Sequence, residues 1–250
     1  MKSKLKKYLL IDNSNSRTKF LISVDGRVEG LPVVIPTAEI SKQLVFKLLG
    51  VNVFDGVVVG SVVPDSCRIL ERCFDCPLHN IGQHSAPKLK FDYPGLATLG
   101  ADRIANVLGA VVDGAVPSIV VDAGTAVTYD VVIERDGMPV YIGGAISPGL
   151  SAFTGYLHAR TAQLPAVSLS AGARAIGKNT VEAIQSGALF GFCGMVQGII
   201  HQITRELACE PQILLTGGDA SLLNNVLEVK SRVEPLLTFK GLAEVAKHFF

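Results

Sequence analysis

IDNSNSRTKF, residues 11–20, and VDAGTAVTYDVV, residues 121–132, decide how this chain of 250 residues folds. Each stretch follows an apolar run, carries an aspartate at its head and places a threonine at the same offset: Asp12 with Thr18, Asp122 with Thr128. Each continues into strand-like sequence that stops at an Asp-Gly turn signal, Asp25-Gly26 in one copy and Asp136-Gly137 in the other. A strand, polar turn and strand therefore opens each half of the chain, which marks an internal repeat. Two short loops of small and polar side chains, each headed by a carboxylate, suit a site that grips a phosphate chain and its metal from two sides.

Working outward, the chain is 48% hydrophobic and 18% charged, enough to bury a substantial core and unlike a disordered segment. The duplicated loop favours two lobes, 1–115 and 116–250. A net charge of +1 and a pI near 7.7 give no electrostatic reason to expect a nucleic-acid or membrane partner. The basic start, Lys2, Lys4, Lys6 and Lys7, resembles the charged end of an export signal, but the apolar stretch behind it breaks at Asp12. The most apolar region, around residues 188–200, is shorter than the roughly 20 residues a spanning helix needs. Five cysteines, an odd number, argue for reduced thiols and a cytoplasmic protein. Cys73 and Cys76, with Cys67 before and His79 after, can be drawn as a zinc site; amphipathic burial is the plainer account.

Residues 8–12 read as a buried strand, and 19–24 with 27–35 as a hairpin around Asp25-Gly26. Ser41 caps a helix over SKQLVFKLL; GVVVGSVV from Gly56 is a buried strand, with a helix starting after Pro64. Ile104, Val107, Leu108, Val111 and Val112 recur at the spacing of one helix face, which places Asp102 and Arg103 in that helix's first turn. The second half restarts at SIVVD from Ser118, runs through strands to YIGGAISPG, then turns largely helical. Strands mixed with helices in two similar halves indicate an α/β fold with repeated lobes.

Asp12 and Asp122 end apolar runs, where a strand delivers a side chain to the mouth of a cleft. An isolated aspartate there usually caps a turn; the matched context of both favours a paired site. Ser14, Asn15, Ser16, Gly124, Thr125 and Thr128 offer amides and hydroxyls to phosphate oxygens, and Lys19 a cation. Asp102 and Arg103 are either a charged first turn favoured by the helix dipole, or a base for a hydroxyl proton beside a guanidinium that grips a carboxylate. The glycine pair Gly217-Gly218 after ILLT admits a flat ligand such as adenine, or is an ordinary turn.

DNSNSRTK at 12–19, YPGLATLGADR at 93–103, VVDAGTAVTYDVV at 120–132, GGAISPG at 143–149, GKNTVEAIQSG at 177–187 and TGG at 216–218 together resemble the type III pantothenate kinases. That family belongs to the acetate kinase, sugar kinase, Hsp70 and actin superfamily. The resemblance implies two ribonuclease H-like, actin-like ATPase lobes with a nucleotide cleft between them. It implies transfer of the terminal phosphoryl group of ATP to the primary hydroxyl of pantothenate, the first step toward coenzyme A. It assigns Asp12, Asn13, Ser14, Asn15, Ser16, Arg17, Thr18 and Lys19 to the first phosphate loop, with Asp12 on the Mg2+ side, and Thr125 to the second. Asp102 matches the general base; Tyr93, Gly100, Ala101 and Arg103 match the pantothenate pocket; Asp122 resembles the ligand of a monovalent cation, K+ or NH4+. Thr180 resembles a substrate contact contributed across a homodimer interface. The family's first loop has glycine where this chain has Ser14, whose side chain either crowds the phosphates and resists a positive φ, or substitutes its hydroxyl for a bound water. Two other readings remain: a non-catalytic regulatory or binding homologue, and a kinase of the same superfamily acting on another small hydroxylated substrate.

Overall fold

A computed structural model describes residues 5–50, 52–169 and 174–250; Lys2 and Lys4 of the basic start lie outside them. The chain divides into two compact units, the first from 1–116, 132–143 and 236–250, the second from 117–131 and 144–235. A single cut at 115/116 falls at the first crossing but leaves out the two later segments that return to the first unit.

The elements run β1 (Lys7–Asn13), β2 (Arg17–Val24), β3 (Arg27–Val28), β4 (Val33–Pro36), α1 (Lys42–Leu49), β5 (Gly56–Ser61), α2 (Pro64–Glu71), β6 (Leu78–Asn80), β7 (Lys90–Phe91) and α3 (Ala101–Val112). They continue with β8 (Ser118–Ala123), β9 (Ala126–Arg135), β10 (Met138–Pro148), α4 (Leu150–Arg160), α5 (Thr180–Leu207), β11 (Gln212–Thr216), α6 (Ala220–Val226), β12 (Ser231–Val233) and α7 (Leu237–Phe249). Strand order in the first unit is β3-β2-β1-β5-β6, with β4 also on β2. The order β10-β9-β8-β11-β12 retraces that path strand for strand. β1 runs parallel to β5, and β8 parallel to β11, so Asp12 and Asp122 occupy equivalent places at the ends of their central strands. Both hairpin turns are alike too: Asp25 and Gly26 have φ of 49° and 72°, Asp136 and Gly137 54° and 70°. Two successive left-handed residues match the twist of the strands they join.

Strand alternation sorts the first unit's core. Tyr8, Leu10 and Val58 pack on one sheet face with Ile104, Leu108, Phe239 and Leu242 of α3 and α7. Leu9, Ile11, Val57 and Val59 pack on the other with Val45, Leu49 and Leu70 of α1 and α2. Ser41 caps α1 by accepting from the Leu44 amide at 3.2 Å, and Pro64 opens α2.

Two sequence readings change here. Helix α3 is not one-sided: Ala101 and Arg103 through Ala110 are all buried, whereas Val112 is exposed. The extra cover is α7, which the spacing of α3 alone cannot announce. The two helices touch through glycines: a Cβ on Gly109 would overlap the Leu237 carbonyl oxygen, and one on Gly241 the Ala105 carbonyl oxygen. The apolar stretch at 188–200 belongs to α5, a helix of 28 residues that is long and apolar enough to cross a membrane. Its apolar side chains include Leu189, Phe192, Val196 and Ile200, all buried within the protein.

Cys67, Cys73 and Cys76 pack against the α1–α2 core, where burial pushes each thiol pKa up and so disfavours a metal-binding thiolate. His79 is engaged elsewhere, its Nε2 2.7 Å from the Ser85 hydroxyl and its ring stacked on Phe249.

Candidate active site

Adjacent residues of an extended strand face opposite ways, and that separates Asp12 from Asn13. Asp12 pairs in register with Lys19, and Asn13 with Thr18. On the α3 side, the Lys19 ammonium lies 2.8 Å from Asp12 Oδ2, while the Ser14 hydroxyl donates to Oδ1 at 3.0 Å. Asp12 is thus buried with both oxygens engaged.

On the α2 side, Asn13 is the centre of a buried polar network. Its Nδ2 donates to Thr18 Oγ1 at 2.7 Å, and its Oδ1 accepts from Ser61 and Ser66 at 2.6 and 2.7 Å. Thr37 bonds Thr18 and donates to the Ser14 carbonyl at 2.6 Å. Asn13 and Thr18 accordingly brace the turn from behind, and Asn15, Ser16 and Arg17 form its exposed edge. Non-glycine residues with positive φ among those described are Asp25, Asp136 and Ala208, so Ser14 fits the turn without backbone strain.

Helix α3 begins at Ala101 after Gly100, with Asp102 and Arg103 in its first turn. The Asp102 carboxylate folds back to accept from the Arg103 amide at 2.8 Å. It lies so close over Gly100 that a Cβ there would stand 2.5 Å from Oδ1, which explains the glycine. Burial pushes the Asp102 pKa up, the charge of Asp12 adds to the rise, and Arg103 opposes it. Arg103 is buried and donates from Nη2 to the Tyr141 hydroxyl at 2.9 Å. Tyr93 sits edge-on to Tyr141, ring centroids 5.4 Å apart. The first unit therefore gathers Tyr93, Gly100, Ala101, Asp102 and Arg103, and Asp102 feels the charge of Asp12.

In the second unit, β8 delivers Asp122 beside Thr216 of β11, and Thr125 stands exposed in the turn before β9. Gly217, at φ 90°, crosses close to this strand end: a Cβ would overlap the Ala123 carbonyl oxygen and stand 2.5 Å from Asp122 Oδ1. Gly149 N donates to the Thr125 carbonyl oxygen at 3.2 Å, closing the turn. Thr180 opens α5 behind an Asn179 cap, with Glu182 accepting from the Lys178 amide. Thr180 also lines an apolar groove of about 770 Å3 with Phe153, Tyr156, Leu157 and Ile184. Every residue of α4 is at least partly exposed, Tyr156 at 63%.

The sequence model of the type III pantothenate kinases matches residues 8–202 of this chain. The chain belongs to that family. A type III pantothenate kinase of Akkermansia muciniphila is 40% identical over 94% of this chain and 96% of its own length. One from Methylacidiphilum infernorum is 34% identical over 94% of this chain and 86% of its own. Among solved structures, a Campylobacter jejuni protein described as a Baf family transcriptional activator superposes with a TM-score of 0.60 at 22% identity, covering 96% and 98% of the two chains. Component A of the Acidaminococcus fermentans (R)-2-hydroxyglutaryl-CoA dehydratase gives 0.56 at 13%, covering 97% of each. The archaeal actin homologue Ta0583 gives 0.55 at 12%, covering 98% and 100%. These likenesses show the actin-like α/β fold. As a type III pantothenate kinase, the protein transfers a phosphoryl group from ATP to pantothenate, the first step toward coenzyme A; neither the non-catalytic reading nor another substrate is favoured.

Several parts of this arrangement escape a reading of the sequence. Tyr141 is fully buried in a strand that reads only as apolar. Ser61, Ser66 and Thr37 gain meaning only once strand register brings them to Asn13 and Thr18.

Proposed function

We propose that Asp102 is the general base of this kinase and that Arg103, with Tyr93, Gly100, Ala101 and Thr180, holds pantothenate. The observation that carries it is the paired first turn of α3. A carboxylate made more basic by burial stands directly before a buried guanidinium, which is what a substrate with a hydroxyl to deprotonate and a carboxylate to anchor requires. In the reaction the hydroxyl oxygen bonds to the γ-phosphorus, its proton passes to Asp102, and the bond to the β-bridging oxygen breaks to release ADP.

Asp12, Ser14, Asn15, Ser16, Arg17 and Lys19 form the first phosphate loop, braced by Asn13 and Thr18, and Thr125 belongs to the second. The fixed Asp12 carboxylate, the two serine hydroxyls and the cationic Arg17 and Lys19 are suitable donors for magnesium and a phosphate chain. Magnesium bound there would neutralise charge on the phosphates. Asp122 is assigned a monovalent cation, K+ or NH4+, through its carboxylate oxygens. The two ribonuclease H-like lobes, 1–115 and 116–250 in outline, each carry one of the phosphate loops that bind ATP.

A second copy of the chain covers the α4–α5 groove and brings Thr180 to its partner's substrate, making the working unit a homodimer; the uncovered Tyr156 and Leu157 support this. Five unpaired cysteines and a near-neutral charge support a cytoplasmic protein without nucleic-acid or membrane partners.

The test is ADP release with ATP, magnesium and pantothenate, in potassium and again in sodium. Asp102→Asn should lower kcat at least about a hundredfold in folded, dimeric protein. Unchanged turnover removes Asp102 from the chemistry, and equal rates in both salts remove the cation assigned to Asp122.

A further inference from the structure

A buried arginine is useful to a carboxylate only if its planar fork is held at one angle, since the side chain has several rotatable bonds. Arg103 is 8% exposed, and its Nη2 donates to the Tyr141 hydroxyl at 2.9 Å. Tyr141 cannot follow the arginine. Its backbone pairs in register with Phe91, its side chain is fully buried, and its ring meets Phe91 and Tyr93 edge-on at 5.9 and 5.4 Å. The same residue thus touches two members of the substrate pocket, one through its oxygen and one through its ring.

We propose that Tyr141 is a positioning residue that sets the angle of Arg103 toward the substrate carboxylate and so the preference for an acid over a neutral analogue. The inference rests on the assignment of Arg103 to that carboxylate. One guanidinium N–H is committed to the phenol oxygen, which aims the rest of the fork. The ring of Tyr93 takes its place from the same anchor. Loss of the hydroxyl should leave the aromatic packing intact and remove one of the restraints on the guanidinium's angle.

The measurement is the dissociation constant of two ligands by titration calorimetry in the presence of a non-hydrolysable ATP analogue. One ligand is pantothenate; the other is pantothenol, in which a hydroxymethyl group replaces the carboxylate. Tyr141→Phe should weaken pantothenate about tenfold and pantothenol less than about twofold. A merely structural tyrosine would weaken both ligands equally, and that result, or no change in either, overturns the proposal. Arg103→Lys tests the underlying assignment separately: if it weakens both ligands alike, Arg103 does not hold the carboxylate, whatever Tyr141 does. Circular dichroism establishes that Tyr141→Phe folds. If it does not, Tyr141→His keeps a ring in the cluster and is read by the same ratio, with an unchanged ratio counting against the proposal.

Discussion

Replacing Asn13 by alanine removes the node that joins β1 to β2, β5 and α2. Three hydrogen bonds go at once: to Thr18 at 2.7 Å, and from Ser61 and Ser66 at 2.6 and 2.7 Å. Neutral bonds of this kind contribute about 1 kcal/mol each, whereas a buried hydroxyl left with no partner costs up to about 3 kcal/mol. The three hydroxyls each keep another partner: Thr18 has Thr37, Ser66 has the Val63 carbonyl oxygen, and Ser61 has Val63 on both its N–H and C=O. The lower figure therefore applies, and Asn13→Ala should destabilise the first unit by about 3 kcal/mol. Urea unfolding followed by circular dichroism reads this, and a double-mutant cycle with Ser66→Ala should return a coupling of about 1 kcal/mol. ATP affinity should fall as well, because the turn carrying Ser14 loses its brace. A loss of stability under about 1 kcal/mol, or a coupling near zero, would show that the network is a consequence of the turn and does not hold it.

Ser14→Gly should raise the magnesium concentration for half-maximal rate about fivefold and leave the pantothenate KM in place, since the hydroxyl steadies Asp12; a gain in activity would mean that it crowds the phosphates instead. Gly241→Ala should lower stability by about 2 to 3 kcal/mol, read as a drop in Tm, because the added methyl meets backbone of α3 that cannot move aside; an unchanged Tm would refute the close crossing. Burial raises the Asp102 pKa, so between the ordinary carboxylate value and the raised one the folded state holds a proton that the unfolded state has released, and stability falls as pH rises through that window. Asp102→Asn should therefore be more stable than the parent at neutral pH while inactive, and the acid limb of kcat/KM in the parent should lie above the usual carboxylate range. An equal or lower Tm for the variant at neutral pH sinks this account.

Much of this was legible because local chemistry and tertiary packing agree. The Asp-Gly turns take left-handed backbone, Ser41 caps its helix, and the repeated loops end equivalent strands. What the sequence hid was direction. DNSNSRTK reads as eight residues facing a ligand, yet strand alternation turns Asn13 and Thr18 inward while Asp12 and Lys19 take the opposite face. Tyr141 was invisible for a related reason: a buried tyrosine in a strand looks the same whether its oxygen is spent on structure or on a guanidinium. The Gly109 and Gly241 contacts join positions far apart in the chain, beyond the reach of any local pattern.

That last contact bears on how the protein is made. Helix α7 closes the core that β1 and β5 began, yet it is synthesised after every strand of the second unit. A growing chain that has just completed residue 116 has α3 to set against Tyr8, Leu10 and Val58, but lacks Phe239, Leu242 and Val245 of α7, the rest of that core. The usual order, in which the first-made domain folds while the next is still being translated, cannot complete the first unit, because its core includes α7. That unit can finish only once α7 has been made, so a chain truncated before residue 237 lacks one wall of the core behind Asp12 and Asp102.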